Sequence, residues 1–149
     1  MEPPSLMTSS ALSVNRLGDC TSEFFRLHWH VDLGAVPNWV QWQEFLQGSV
    51  PNYQYGGCYA IFSGDSLIYI GLGASRGGGI YPKHGISRRL MAHVLRSDRS
   101  RGAGWSKLTD PWSDATAIYT LGLPTADYLA PALESFLIRE LSPSRNSRV

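Results

Sequence analysis

The chain has 149 residues, of which 43% are hydrophobic and 11% aromatic, a composition that excludes a disordered protein and predicts one folded domain. Its first residues lack the pattern of a signal peptide and no apolar run has the length of a membrane span, which predicts a cytoplasmic or nucleoid-associated protein without membrane contacts. The formal net charge is +1, and the two cysteines, Cys20 and Cys58, lie too far apart for a zinc knuckle or a disulfide scaffold.

The first 56 residues are predicted to form a tail and an extension. Residues 1–15 are rich in proline and serine, which indicates a flexible tail. Residues 16–56 are expected to pack on the domain that follows them. Within this extension, "FFRLHWHVDL" (24–33) alternates and predicts a strand, whereas "NWVQWQEFLQG" (38–48) has apolar residues at helical spacing and predicts a helix.

The next part of the chain, from residue 57, begins with a predicted β-hairpin. "CYAIF" and "LIYIG" read as strands and "SGDS" as a turn, so 57–71 is expected to be a hairpin with a four-residue connection. A glycine-rich loop, 72–85, leads to a helix that Ser87 would cap and that would run to about Arg96.

A third strand and a second helix complete the predicted domain. "ATAIYTLGL" (115–123) predicts the strand, and Thr125 would cap the helix, in which Pro131 marks either a kink or a new start. Pro143 ends this helix. Residues 57–149 are therefore predicted to be an α+β domain, a small three-stranded antiparallel sheet flanked by helices, with the strand and helix of the extension packed on it.

A dense basic segment follows the glycine-rich loop. Residues 83–107 contain seven basic side chains, five of them arginines, against Asp98 alone. This density predicts contact with a polyanion, because the arginine fork suits phosphate oxygens. A solvated helix face is the alternative interpretation. The basic residues are Lys83, Arg88, Arg89, Arg96, Arg99, Arg101 and Lys107.

Two tripeptides stand on the two strands of the predicted hairpin. They are Gly57-Cys58-Tyr59 and Tyr69-Ile70-Gly71. Their tyrosines would lie side by side if the register across the turn turns both to one face of the sheet. A later Gly79-Ile80-Tyr81 follows the second strand without a Tyr-Ile-Gly after it, so the earlier pair is the one that matters.

With these tripeptides the chain resembles the GIY-YIG nuclease family, the domain of certain homing, excision-repair and restriction endonucleases. The resemblance covers residues 57–146. "RRLMAHV" is similar to the family helix that carries an arginine and, four residues later, a histidine, here Arg89 and His93. "LESFLIRELSPSRN" is similar to the closing segment, with Glu134 on a helix and Asn146 after a proline.

The chain departs from the family pattern at three points. Cys58 replaces the usual aliphatic residue of the first tripeptide. The stretch "ASRGGGIYPKHG" is a longer insertion than the compact family form has. Residues 1–56 have no counterpart in the motifs. The last two departures concern substrate recognition and leave the expected chemistry unchanged.

The resemblance implies a set of catalytic roles for phosphodiester hydrolysis. Glu134 would bind a single Mg²⁺ or Mn²⁺ through its carboxylate, and Arg89 would hold the scissile phosphate. Tyr59 would act as general base with a pKa lowered by nearby positive charge, and Tyr69 would orient the water or the phosphate. Which tyrosine is the base is left open.

Further residues would support this site. His93 would contact the phosphate or the water, and Asn146 would hold the site in shape by side-chain hydrogen bonds. Taken singly, each of these side chains has an ordinary structural interpretation, such as packing for the tyrosines or ion pairing for Glu134. Residues expected to contact nucleic acid are Lys83, His84, Arg88, Arg96, Arg99, Arg101 and Lys107.

The implied function is a metal-dependent endonuclease that hydrolyses DNA. Double-stranded DNA is a better candidate for its substrate than RNA. Site-specific cleavage and homodimer formation are both left open. A non-catalytic nucleic-acid-binding module on the same fold is the main alternative, and an aromatic surface for a partner protein is another. A nucleotide-binding loop in "YIGLGASRG" is disfavoured, because its glycines have the spacing GxGxxxG and its strand belongs to a hairpin.

Overall fold

A computed structural model describes residues 9–73 and 85–146. The helices are α1 (Ser9–His28), α2 (Ile86–His93) and α3 (Ala130–Leu141). The strands are β1 (Val40–Gln41), β2 (Gly57–Ser63), β3 (Ser66–Gly73), β4 (Leu95–Ser97), β5 (Ser106–Leu108) and β6 (Ala117–Gly122). None of the helices within these two ranges combines the length and the apolar character that crossing a membrane requires.

The α+β class is confirmed, but the main sheet has four strands instead of three. Its order is β1-β6-β2-β3, and every neighbouring pair is antiparallel. The additional strand, β1, comes from the extension and pairs Val40 with Thr120 of β6. A separate two-stranded sheet, β4 with β5, is not predicted from the sequence, because strands of three residues are too short to show alternation.

The β2–β3 hairpin is the centre of the fold, and its turn is tighter than predicted. Ser63 pairs with Ser66, so the connection is the two residues Gly64 and Asp65 instead of four. Gly64 has a φ of 56°, which glycine adopts without strain. The hairpin itself, predicted over 57–71, is confirmed.

Both faces of β2 are buried, in two separate apolar cores. Cys58, Ala60 and Phe62 face one core, which α1 and α3 cover. Tyr59 and Ile61 face the other, which α2 covers. This double burial explains the continuous apolar run of "CYAIF", because a strand with only one buried face would alternate.

The strand predicted over residues 24–33 is wrong. Helix α1 starts at Ser9, within the predicted tail, and continues through residues 24–28, which were expected to form a strand. Its buried side chains recur at helical spacing, with Leu17 followed by Phe24 and Phe25. The ring of Phe24 packs 5.6 Å from that of Phe136 on α3.

The helix predicted over 38–48 is also wrong. Trp42 donates its backbone N–H to the carbonyl of Ile118, at 2.9 Å, and its indole N–H to the carbonyl of Gln47, at 3.0 Å. Leu46 has a φ of 74°, which a helix does not allow. Pairing with the main sheet therefore outweighs the helical spacing of the aromatic residues.

The helix α2 is shorter than predicted and is not capped by Ser87. Its N-cap residue is Gly85, which makes no side-chain capping bond. The carbonyls of Tyr55 and Tyr53 instead accept from the N–H groups of Ile86, at 2.9 Å, and Ser87, at 3.1 Å. Arg96, expected at the helix end, lies in β4.

The C-terminal elements agree better with the sequence. Strand β6 falls within the predicted range 115–123, and Pro131 stands in the first turn of α3, which confirms a new helix start there. Thr125 does not cap this helix, because a short 3₁₀ turn precedes it. The helix ends at Leu141, before Pro143, and Ser142 follows it with a φ of 47°.

Candidate active site

The two motif tyrosines lie on the same face of the sheet, because a β-bulge between Ile61 and Phe62 shifts the register of β2 and β3 by one residue. Tyr59 is directly opposite Gly71, and Tyr69 is opposite Ile61, so the two tyrosines are diagonal neighbours. Their ring centroids are 6.1 Å apart with an interplanar angle of 37°. Tyr59 is 1% exposed, whereas Tyr69 is half-buried.

Glycine at position 71 makes room for the Tyr59 ring. A Cβ at Gly71 would lie 2.2 Å from Cζ and 2.5 Å from the hydroxyl oxygen of Tyr59. A Cβ at Gly57 would likewise lie 2.0 Å from the carbonyl oxygen of Leu121. The glycines of both tripeptides are therefore required by close approach within the sheet.

Arg89 and Glu134 act on this tyrosine pair from two different helices. Arg89 belongs to α2 and is exposed, and Glu134 belongs to α3 and is half-buried. The Arg89 guanidinium lowers, and the Glu134 carboxylate raises, the pKa of both tyrosines. A hydroxyl pair, a guanidinium and a carboxylate thus come within electrostatic reach of one another from β2, β3, α2 and α3.

The pKa of Tyr59 is raised in the protein alone, so the Arg89 guanidinium by itself does not lower it below its ordinary value. Burial of the hydroxyl is the largest cause, followed by the neighbouring Tyr69, and the Arg89 guanidinium opposes the shift only in part. Burial also raises the pKa of Tyr69. In the protein alone both tyrosines therefore keep their protons at neutral pH.

Glu134 has the chemistry of a single-carboxylate metal ligand. Burial raises its pKa, and Arg89 opposes that shift. The ion pairs found within the described residues include neither Glu134 nor Arg89, and no group of three or more His, Cys, Asp or Glu side chains in that part of the chain could hold a metal. One carboxylate with water molecules is a set that Mg²⁺ accepts, so the residues fit this ion.

Replacing Glu134 by glutamine is expected to stabilise the protein at neutral pH. Because the folded-state pKa of Glu134 is raised, its ionisation opposes folding, and wild-type stability falls as pH rises through that pKa. Glu134→Gln should therefore have a higher Tm than wild type near neutral pH, with the difference vanishing below about pH 4. Glu140→Gln, on the same helix and exposed, is the control. A lower Tm for Glu134→Gln at neutral pH would contradict this account.

Asn146 is bound to the backbone of the second tripeptide. Its Oδ1 accepts from the N–H of Ile70 at 2.9 Å, and its Nδ2 donates to the carbonyl of Ile70 at 2.8 Å. The N–H of Arg145 donates to the carbonyl of Ile68 at 2.8 Å. This segment occupies the outer edge of β3, so Asn146 positions the strand that carries Tyr69, in keeping with the structural role expected for it.

Trp112 and Arg145 are site neighbours that the sequence motifs do not identify. The Trp112 ring packs edge-on against Tyr69, with centroids 5.1 Å apart, and the Arg145 guanidinium lies 5.5 Å from the Trp112 ring. Arg145 also pairs with Asp114. No local pattern predicts these contacts, because they join residues far apart in the chain.

The remaining predicted site residues have no described contact with the tyrosine pair or lie outside the described ranges. His93 and Arg88 are exposed on α2, and the backbone carbonyl of His93 accepts a hydrogen bond from the hydroxyl of Thr109 at 3.3 Å. Lys83, His84 and most of the predicted loop, 74–84, lie outside the described residues. The other expected nucleic-acid contacts, Arg96, Arg99, Arg101 and Lys107, belong to β4, β5 and the loop between them.

The site therefore has a compact inner group, formed by Tyr59, Tyr69, Arg89 and Glu134. Comparisons with models of protein families, with curated proteins and with solved structures give no match for this chain. The function has to be argued from the geometry and chemistry of this group.

Proposed function

We propose that the protein is a divalent-metal-dependent endonuclease of the GIY-YIG type that hydrolyses phosphodiester bonds in DNA. The observation that carries the proposal is the convergence of Tyr59, Tyr69, Arg89 and Glu134 from four separate elements. Ordinary packing would explain each side chain singly. It does not explain why a guanidinium and a half-buried carboxylate both act on one tyrosine pair.

Each member of this group has a part in phosphodiester hydrolysis. The Arg89 guanidinium binds the non-bridging oxygens of the scissile phosphate and stabilises the charge that builds on them. One of the two tyrosines, after its hydroxyl has released its own proton to solvent, receives the proton of the attacking water at its phenolate oxygen, and the other tyrosine orients that water. As the water oxygen bonds to phosphorus, the bond from phosphorus to the leaving sugar oxygen breaks, and that oxygen takes up a proton from solvent. Glu134 would hold a divalent cation, which when bound supplies Lewis-acid stabilisation and lowers the pKa of acidic groups beside it.

The raised tyrosine pKa values have a consequence for this chemistry. A tyrosine that keeps its proton cannot act as a base, so the resting protein is poorly prepared for catalysis. Positive charge must enter the site before either hydroxyl can lose its proton and serve as the base. Arg89 provides only part of that charge, so activity requires an added divalent ion.

The proposal is tested by cleavage of supercoiled plasmid in Mg²⁺ or Mn²⁺. Wild type and the matched control Glu140→Gln are expected to nick or linearise the plasmid, whereas Glu134→Gln and wild type in chelator leave it intact. Both glutamine variants remove one negative charge from α3, so a difference between them is specific to the site. Discrete fragments would indicate site preference, and a smear would indicate its absence.

Binding without cleavage is the outcome that would reject the enzyme assignment. If wild type retards the plasmid in a gel and leaves it intact with both metals, the protein is better described as a nucleic-acid-binding module. The exposed basic side chains on β4, β5 and their loop favour binding in either case.

A further inference from the structure

Residues 95–108, here called the basic hairpin, form a separate two-stranded unit directly after α2. The strands β4 and β5 pair in antiparallel register, which sets Arg96 opposite Lys107. Like charges directly opposite each other destabilise a strand pair. The pair therefore puts two positive charges side by side on an exposed two-stranded sheet, where a bound anion would relieve their repulsion.

The loop of the hairpin presents two more exposed arginines, Arg99 and Arg101, on a 3₁₀ turn. Asp98 and Trp105 close the loop by a backbone hydrogen bond of 2.9 Å. Between them Arg99–Arg101 form a 3₁₀ turn, whose N-terminus the Asp98 side chain caps. The Arg101 guanidinium lies 3.8 Å from the centroid of the Trp105 ring. Stacking restricts the guanidinium to one plane and leaves its edge available to a phosphate.

The hairpin is anchored to the body of the protein. Gln47 bridges to Trp105, and Leu46 accepts from the N–H of Ser106 at 2.8 Å. Leu95 is buried in the core beneath α2. Because Arg89 is on α2 and β4 follows this helix after one residue, the hairpin and the proposed phosphate-binding arginine belong to consecutive elements of the fold.

The charge of the hairpin is poorly balanced by the protein. It has four basic side chains and one acid, Asp98, which already accepts hydrogen bonds from Ser100. None of the four basic residues takes part in an ion pair among the described residues. Arg96 donates to the carbonyls of Met91 and Leu95, both at 3.1 Å, which fixes its position without neutralising its charge.

The aromatic content of the hairpin argues against single-stranded nucleic acid. Proteins that bind single strands stack successive bases on aromatic rings. Trp105 is the only aromatic residue in 95–108, and Arg101 already covers one face of its ring. The hairpin therefore offers charges for a phosphate backbone without a stacking platform for bases.

We propose that the basic hairpin binds the phosphate backbone of double-stranded DNA beside the tyrosine site and holds the duplex in register with Arg89. This proposal rests on the proposed function for the identity of the substrate. The hairpin would supply affinity that does not depend on sequence, because phosphate contacts position a duplex without reading its bases. The contacts belong to Arg99, Arg101 and Lys107, with Arg96 supporting them.

The test measures binding in a background that does not cleave. Fluorescence anisotropy with a labelled duplex of unrelated sequence would be recorded over a range of salt concentrations in the Glu134→Gln protein. The test variant adds Arg99→Gln, Arg101→Gln and Lys107→Gln. The matched control adds Arg16→Gln, Arg26→Gln and Arg139→Gln, which remove the same charge from α1 and α3.

The slope of log affinity against log salt distinguishes the two triple variants. Loss of three phosphate contacts should reduce its magnitude by up to about 2.7, about 0.9 for each contact. The control should keep the parent slope. Equal slopes in both triple variants would overturn the proposal, because net charge alone would then explain binding. Tighter binding to single-stranded DNA or to an RNA duplex than to the DNA duplex would overturn the choice of substrate.

Two further measurements keep the result interpretable. Thermal melting checks that the test variant folds, and the smaller variant Arg99→Gln/Lys107→Gln, expected to lose up to about 1.8 of slope, replaces it if it does not. The binding readout is also independent of cleavage. If the wild type never cleaves DNA but the hairpin variant has a reduced salt slope, the nuclease proposal is rejected and the hairpin proposal is supported. If the wild type cleaves DNA but the hairpin variant keeps the parent slope, the nuclease proposal is supported and the hairpin proposal is rejected.

Discussion

Gly71→Ala is expected to abolish plasmid cleavage and to destabilise the protein by about 3 kcal/mol. The added Cβ would lie 2.2 Å from Cζ of Tyr59, and the tyrosine is 1% exposed, so its ring has no space into which to move. Either the ring or strand β3 must shift. A displacement of about 1 Å in a catalytic group lowers activity on the order of 100-fold, and here both tyrosines would be affected. Urea unfolding and plasmid cleavage measure the two effects.

Two companion variants define the cause of that loss. Gly18→Ala, in α1 with no atom near the added Cβ, should stabilise the protein by up to about 1 kcal/mol, because alanine favours helix. The double variant Gly71→Ala/Tyr59→Leu removes the ring atoms that clash. It should be more stable than the sum of its single variants predicts, yet remain inactive. Additive destabilisation would show that the Tyr59 ring is not what Gly71 accommodates.

Arg89→Ala is expected to reduce cleavage by about 10³-fold while leaving the fold intact, since an arginine that stabilises phosphoryl-transfer charge has an effect of this order. Arg89 is exposed, so its removal leaves no cavity. Arg89→Lys should recover little of the loss, because a lysine cannot reproduce the planar fork. Arg139→Ala, an exposed arginine on α3, is the control and should keep wild-type activity.

The pH dependence of the residual activity separates a role at the site from a structural one. The Arg89 guanidinium lowers the pKa of Glu134, so its removal raises that pKa further. Glu134 then ionises only at a higher pH, so the acid limb of the profile of rate against pH should move to higher pH in Arg89→Ala. An unchanged profile with uniformly lower activity would place Arg89 outside the electrostatic reach of Glu134.

The parts of the fold that could be predicted from sequence are those stabilised locally. The β2–β3 hairpin was predictable because two apolar runs flank a glycine turn, and the start of α3 because Pro131 favours a first helical turn. Residues 24–28 were mistaken for a strand because alternation over a short window concealed the helical spacing of Leu17, Phe24 and Phe25. Residues 38–48 have helical spacing, but their hydrogen bonds go to distant parts of the chain, such as Ile118.

In the candidate site, too, the features that depend on tertiary structure could not be predicted from the sequence. The shared face of the two tyrosines was expected only if the register allowed it, and strand period could not decide the register. Without the β-bulge between Ile61 and Phe62, Tyr59 would lie opposite Ile70 and Tyr69 would face the other side of the sheet. The direction of the Tyr59 pKa shift could not be predicted, because it depends on burial beneath α2, which no local pattern reveals. Trp112 and Arg145 join the site only through tertiary contacts.

The carbonyls of Tyr53 and Tyr55 have a consequence for how this motif could be moved between proteins. They accept from the first N–H groups of α2, and a Cβ at Gly85 would lie only 2.0 Å from the Tyr55 oxygen. The segment before the first tripeptide therefore serves as an internal scaffold for the helix that carries Arg89. A fragment that begins at Gly57 would contain every motif residue but would lack the carbonyls of Tyr53 and Tyr55. A fragment intended to fold in another protein should therefore begin before β1.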